Sequence, residues 1–286
     1  MRSYATIGVE PMAEGFGARV TGLSLAQPLP ASTLTELKIA WARHSVLFFP
    51  DQPLSHAQLE AFTLQMGGFG QDPYIVPMPG HPNILELRRE ATETAINFGA
   101  AWHSDWSFQQ CPPAGTVLHA KVVPPVGGDT LFADAYRAFE SLSPPLQQWL
   151  CTLRTVHSAR RSYGSKGVYA DASAQRAMQF RTGAEAETTW QHPLVRTHAV
   201  TGRKALYVNP VYTLAIDGLS AKESALILGH LFELIVQPKF VYRHRWQPDM
   251  LTMWDNRCTL HNAEGGYDGH LRLMHRCTLA GDVPVC

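Results

Sequence analysis

The sequence predicts a mainly β fold, a sandwich or barrel with helices added. Short apolar runs recur between turn residues, few segments keep helical periodicity for long, and 20 prolines punctuate the chain. The strands do not alternate regularly with helices, which counts against a doubly wound α/β fold. The 286 residues, 45% of them hydrophobic, suffice for a sizeable core. No break in composition marks a second core, so residues 1–286 are expected to form a single domain.

Thr33-Leu34-Thr35-Glu36 reads as a capping box, with Leu34, Leu37 and Trp41 following at helical spacing. Ser45 to Phe49 reads as a buried strand stopped by Pro50. A second helix starts at Ser55, with Gln58 three residues on, and ends at Gly67-Gly68. Ile84–Leu87 and Thr116–Val123 read as strands, and Gly127-Gly128-Asp129 as a turn into a strand at Thr130-Leu131-Phe132. Ser143–Leu150 is a short helix with prolines in its first turn. From Arg160 to Thr189 the chain turns polar and aperiodic, as a mobile loop or lid would. Strands resume at Leu194–Thr197 and Ala205–Asn209. Ser220–Glu223 caps a helix to about Val236. Three strands close the chain, at Phe240–Trp246, Met250–Trp254 and Leu271–Leu279.

Charge is balanced at 24 basic and 24 acidic residues, so no global field favours nucleic acid or an anionic membrane. Five scattered cysteines argue against a disulfide framework. Met1 to Met12 lacks the pattern of a secretory signal, and Ala225–Val236 is too short and too polar to span a bilayer. A cytoplasmic protein is expected.

His103-Ser104-Asp105 is the first chemical candidate. In extended backbone, residues two apart share a face, so an imidazole and a carboxylate can bind one ion. With 13 histidines, about one such pair arises by chance. Its setting is more telling: Trp102, Trp106 and Phe108 offer an apolar wall that limits water. His261 would complete two histidines and a carboxylate, a set that binds one face of an octahedral ion and suits non-haem Fe(II). Zinc could use the same ligands. Arg272 and Arg276 stand four apart on an apolar strand and so share a face, where their guanidiniums could each hold a small anion. Trp254-Asp255-Asn256 reads as turn chemistry without a catalytic part. Cys258 is set aside as a ligand because the hard Asp105 points to iron.

At these residues the chain resembles the Fe(II)- and 2-oxoglutarate-dependent taurine and 2,4-dichlorophenoxyacetate dioxygenase (TauD/TfdA) family. The matching segments are Trp102–Asp105, Pro112–Gly115, Gly127–Thr130, Leu206–Asn209, Trp254–Arg257, and His261 with Arg272 and Arg276. Leu87–Ala91 and Val156–Ala159 look most like the aryloxyalkanoate branch. The resemblance implies a double-stranded β-helix (jelly-roll, cupin-like) core, with His103, Asp105 and His261 as metal ligands. It implies that Thr130 and Arg272 bind the distal carboxylate of 2-oxoglutarate, and that Arg276 approaches the acidic group of the substrate or the co-substrate. The implied reaction uses O2, converts 2-oxoglutarate to succinate and CO2, and hydroxylates a small organic acid such as a sulfonate or aryloxyalkanoate. Related halogenases lack the carboxylate ligand; Asp105 is present, so hydroxylation is expected. Taurine enzymes carry an asparagine where this chain has Gly99, and the segment from Asp72 to Gly80 lacks their histidine, which argues against taurine. The family tends to form dimers or tetramers, so a homo-oligomer is expected. The competing readings are a zinc-dependent hydrolase and a non-catalytic small-acid sensor on a cupin-like barrel.

Overall fold

The structure is a computed structural model, and it describes residues 4–12, 15–171 and 175–286. Its largest sheet has seven strands, in the spatial order Gly8–Pro11, Ala18–Thr21, Val46–Phe49, Leu251–Asp255, Gly115–Val122, Arg272–Leu279 and Leu85–Arg89. Every pairing in it is antiparallel except that of Ala18–Thr21 with Val46–Phe49. A three-stranded antiparallel sheet joins Val241–His244, Thr130–Asp134 and Thr259–Ala263. The two sheets pack together through buried Phe48, Leu118, Trp254 and Met274 from the larger and Phe132 from the smaller. Two smaller sheets lie elsewhere: Thr213–Ile216 with Arg154–Ser158 and Thr189–Pro193, and Lys204–Leu206 with Val195–Thr197.

Helices cover the outer faces. Leu37 and Trp41 of Ala31–His44, with Leu59 and Phe62 of His56–Met66, pack on Val117, Leu251, Met253 and Cys277 of the large sheet. With both sheet faces covered, all four residues of Val46–Phe49 are buried, which explains their unbroken apolar run. Ala135–Glu140 and Ala221–Ile235 bury Tyr136, Phe139, Leu228 and Leu231 beside Ala133 and Leu260 of the small sheet. Among the described residues no helix is long and apolar enough to cross a membrane.

Two of the three expected capping boxes form. Ser55 pairs reciprocally with Gln58, and Ser220 with Glu223, each cap being worth about 1 kcal/mol. The third does not: the helix begins at Ala31 behind Pro30, and Thr33 is buried within it. Glu36 instead accepts hydrogen bonds from the Ala5 and Thr6 backbone N–H groups, at 2.7 and 2.9 Å. A distant segment thus claims the carboxylate that the local pattern assigned to a cap. Ser45, read as strand, is the helix C-cap at φ 62°.

The expected loop from Arg160 to Thr189 is less irregular than its sequence. It holds a helical turn at Arg160–Tyr163 and 3-10 turns at Val168–Ala170 and Ala184–Glu187, while residues 172–174 lie outside the described residues. It pairs with the segment from Asp72 to Gly80: Ile75 bridges Phe180, and Arg181 N–H donates to the Tyr74 carbonyl at 2.8 Å. Five further elements, Ala135–Glu140, Arg154–Ser158, Thr189–Pro193, Thr213–Ile216 and Thr259–Ala263, have no clear periodicity in sequence.

Candidate active site

His103 and His261 meet through their backbones. His103 N–H donates to the His261 carbonyl at 3.0 Å, and His261 N–H to the His103 carbonyl at 2.8 Å, forming an isolated antiparallel bridge. The pairing sets the imidazoles side by side, with ring centroids 4.2 Å apart. His103 Nδ1 lies 2.7 Å from the Ala101 carbonyl, which can only accept, so Nδ1 carries a proton and Nε2 is left to bind. His261 is walled by Trp254 at 4.7 Å. Burial, reinforced by His103, lowers its pKa to about 3, so its imidazole is neutral near pH 7 and able to act as a ligand.

Asp105 completes the set. Its Oδ1 lies 3.6 Å from His103 Nε2 and 3.8 Å from His261 Nε2. The three residues form the one His/Cys/Asp/Glu group among the described residues able to hold a metal ion, with donor atoms all within 4.8 Å of one another. Burial alone would raise the Asp105 carboxyl, but Arg276 at 3.2 Å and the two imidazoles outweigh it and hold the pKa well below the usual carboxylate range. Thr116 Oγ1 donates to Asp105 Oδ2 at 2.6 Å. Two imidazole nitrogens and one ionised oxygen fit a hard-to-intermediate divalent ion such as Fe(II).

Asn256 braces Asp105 through its backbone and through Thr116. Its Oδ1 accepts from Asp105 N–H at 3.3 Å and Trp254 Nε1 at 3.0 Å, and its Nδ2 donates to Thr116 Oγ1 at 3.0 Å. The Trp254–Asn256 segment therefore does more than turn the chain. Asp255, beside it, is buried against Arg257, with charge-assisted bonds of 2.8 and 2.6 Å. The aromatic wall divides. Trp106 and Phe108 join an aromatic cluster with Tyr163 and Tyr212, whereas Trp102 packs against a different cluster, the one that includes Tyr136, Phe139 and Leu228.

One pocket contains His103, His261, Thr130, Arg272 and Arg276. Arg272 is 8% exposed, donates to the Gly128 carbonyl at 3.5 Å, and has no carboxylate partner among the described residues. A buried cation left unpaired is costly, and a ligand carboxylate would relieve it. Gly128 sits at φ 72°, a conformation that favours glycine, and an added Cβ would meet Pro124 Cγ at 3.1 Å and Arg272 Nε at 3.4 Å. Thr130 faces the same space, and its Oγ1 accepts from Trp246 Nε1 at 3.0 Å. These residues fit one end of 2-oxoglutarate. Arg276 differs. It lies 3.2 Å from Asp105 and 3.5 Å from Asp72, with its guanidinium over the Trp106 ring at 4.8 Å.

A family model described as taurine catabolism dioxygenase TauD, TfdA family, matches residues 8–278. The chain is 35% identical to an alpha-ketoglutarate-dependent 2,4-dichlorophenoxyacetate dioxygenase of Cupriavidus pinatubonensis, over 98% of this chain and 100% of that protein. It is 32% identical to an alpha-ketoglutarate-dependent sulfate ester dioxygenase of Pseudomonas putida, over 98% and 91% of the two chains. Among solved structures, AAD-2 in complex with Mn(II) and N-oxalylglycine superposes with a TM-score of 0.83 at 29% identity, covering 99% of this chain and 100% of its own. A taurine dioxygenase from Burkholderia xenovorans gives 0.82 at 31% identity, covering 98% and 93%.

Proposed function

The chain belongs to the TauD/TfdA dioxygenase family, and from that premise we propose an Fe(II)- and 2-oxoglutarate-dependent dioxygenase that hydroxylates a small organic acid. One observation carries the reading: the two histidines of the buried His-Asp-His donor set line the same pocket as Arg272, a buried guanidinium without a carboxylate partner among the described residues. A zinc hydrolase has no need of that co-substrate clamp, and an acid sensor has no need of the His-Asp-His donor set beside it.

His103, Asp105 and His261 would hold iron. When bound, iron supplies the centre at which O2 reacts and 2-oxoglutarate is oxidatively decarboxylated to succinate and CO2. The protein's own groups prepare that site. The Ala101 carbonyl fixes the His103 tautomer, Thr116 and Asn256 aim the Asp105 carboxylate, and Trp254 and Phe132 keep water from the His261 side. Thr130 and Arg272 would grip the distal carboxylate of 2-oxoglutarate. Arg276 would approach the acidic group of the substrate or the co-substrate while anchoring Asp105.

The substrate class is a sulfonate, aryloxyalkanoate or similar anion, in keeping with the names of the relatives. Gly99 packs against His103, with φ 77° and an added Cβ at 3.6 Å from His103 Cε1. It leaves no asparagine to bind a taurine-like group. We take residues 1–286 as a single domain with a double-stranded β-helix core, cytoplasmic, assembled as a homodimer or homotetramer, and acting on a small molecule rather than on nucleic acid or a membrane. The test is O2-dependent succinate release with aryloxyalkanoates, sulfonates, sulfate esters and amino acids as a panel. Release above the substrate-free background, abolished by Asp105→Ala, supports the reading. Turnover without O2 and 2-oxoglutarate would favour the hydrolase.

A further inference from the structure

Five arginines line the pocket that contains the two ligand histidines, His103 and His261: Arg88, Arg89, Arg176, Arg272 and Arg276. Three already have carboxylate partners, Arg88 with Glu90, Arg89 with Asp268, and Arg276 with Asp105 and Asp72. Among the described residues, Arg272 and Arg176 have none. Arg272 is accounted for by the distal carboxylate of the co-substrate. Arg176 is not accounted for.

Arg176 sits where two spaces meet. Its Nη1 donates to the Ile96 carbonyl at 2.6 Å, and its guanidinium lies over the Tyr169 ring at 5.4 Å. Tyr169, with Tyr163, Tyr212 and Phe98, lines a second, aromatic chamber that adjoins the first pocket along Ile96–Gly99 and His103. A single carbonyl and a ring face satisfy only part of a five-donor guanidinium. The remaining donors and the uncompensated charge match an anion whose apolar body lies in the aromatic chamber. Arg276 offers such an anion a charge already shared by two carboxylates. Arg161, which lines the chamber, spends its Nη1 on the Pro210 and Thr213 carbonyls, at 2.9 and 3.0 Å.

We propose that Arg176 is a substrate-specificity residue: it binds the acidic group of an organic acid whose aromatic or alkyl body occupies the chamber of Phe98, Tyr163, Tyr169 and Tyr212. The assignment rests on the dioxygenase reading for the location of the reacting centre. The docking itself requires only binding. Backbone contacts of the neighbouring residues seat Arg176 over the pocket: Ala177 N–H donates to Glu93 Oε1 at 2.9 Å, and Val76 N–H to the Gln179 carbonyl at 3.1 Å.

The test is calorimetric titration of the Mn(II)-loaded, 2-oxoglutarate-bound protein under anaerobic conditions, which isolates binding from turnover. The probes are phenoxyacetate, hexyl sulfate and hexanesulfonate, each beside an uncharged counterpart (phenoxyacetamide, hexanol, hexanesulfonamide). The wild-type protein should bind at least one acid tenfold or more tightly than its counterpart. Arg176→Ala should erase that preference while leaving 2-oxoglutarate affinity within twofold, and Arg176→Lys should restore part of it. The assignment is overturned if Arg176→Ala keeps the preference, if Arg161→Ala abolishes it instead, or if the wild type prefers no acid. Failure of wild-type protein to bind 2-oxoglutarate would instead remove the dioxygenase reading, so the two failures are separable.

Discussion

His103 and His261, from distant parts of the chain, exchange both backbone hydrogen bonds, at 3.0 and 2.8 Å. The spacing of the two imidazoles is therefore set by a two-residue β-bridge rather than by side-chain packing. Main-chain pairing does not depend on side-chain identity, so either ring can be removed without moving the other's backbone. His261→Ala should keep its circular dichroism spectrum. It should lose Co(II) or Fe(II) affinity by more than the roughly 10–100-fold that an outer partner costs. Titration of metal into the variant measures this.

Asn256 gives a different outcome. It touches no open ligand position, yet it bonds Asp105 N–H, Thr116 Oγ1 and Trp254 Nε1 inside the core. Asn256→Ala leaves those buried groups short of a partner, at about 1–3 kcal/mol each at most. We expect a lower Tm together with about 10–100-fold weaker metal binding. An unchanged metal titration would reduce Asn256 to a structural role.

The two arginines of the strand Arg272–Leu279 should separate by ligand. Arg272→Ala should raise the 2-oxoglutarate requirement by an amount equivalent to roughly 2–4 kcal/mol, with little change in metal affinity. Arg276→Ala should lower organic-acid affinity less than Arg176→Ala does, because the charge of Arg276 is already shared with Asp105 and Asp72. It should also weaken metal binding, because it removes the cation 3.2 Å from Asp105. Separate titrations of metal, 2-oxoglutarate and substrate distinguish the three effects.

Acid should destabilise the protein through buried neutral histidines that are not metal ligands. His244 is 1% exposed, its Nε2 lies 3.0 Å from Thr252 Oγ1, and burial lowers its pKa to about 3. The unfolded chain takes up this proton near pH 6.5 and the native one does not, so stability is full above about pH 6.5 and declines as the pH falls toward 3. At pH 5 the loss is about 2 kcal/mol for such a group. His244→Asn should flatten this limb: urea midpoints at pH 7 and pH 5 should lie closer together in the variant than in the wild type.

The metal ligands and the arginine pair were legible in the sequence because their chemistry is local: a His-x-Asp spacing, and two cations on one face of an apolar strand. What supports them was not. The strand Thr259–Ala263 that carries His261 reads as polar, since its partners are Thr130–Asp134 and, through His261, His103. Asn256 and Thr116 are ordinary residues until the fold places them against Asp105. The aromatic chamber is assembled from Phe98, Tyr163, Tyr169 and Tyr212, which no periodicity links. The capping box expected at Thr33–Glu36 failed for the same reason in reverse, because a distant backbone took the glutamate.

The most direct measurement is the visible spectrum of anaerobic protein on addition of Fe(II) and then 2-oxoglutarate. A weak charge-transfer band should develop, saturate at one 2-oxoglutarate per chain, and be absent from Asp105→Ala. Folded, iron-loaded wild-type protein that gives no such band would contradict the assignment of His103, Asp105, His261 and Arg272 to a single iron and 2-oxoglutarate centre.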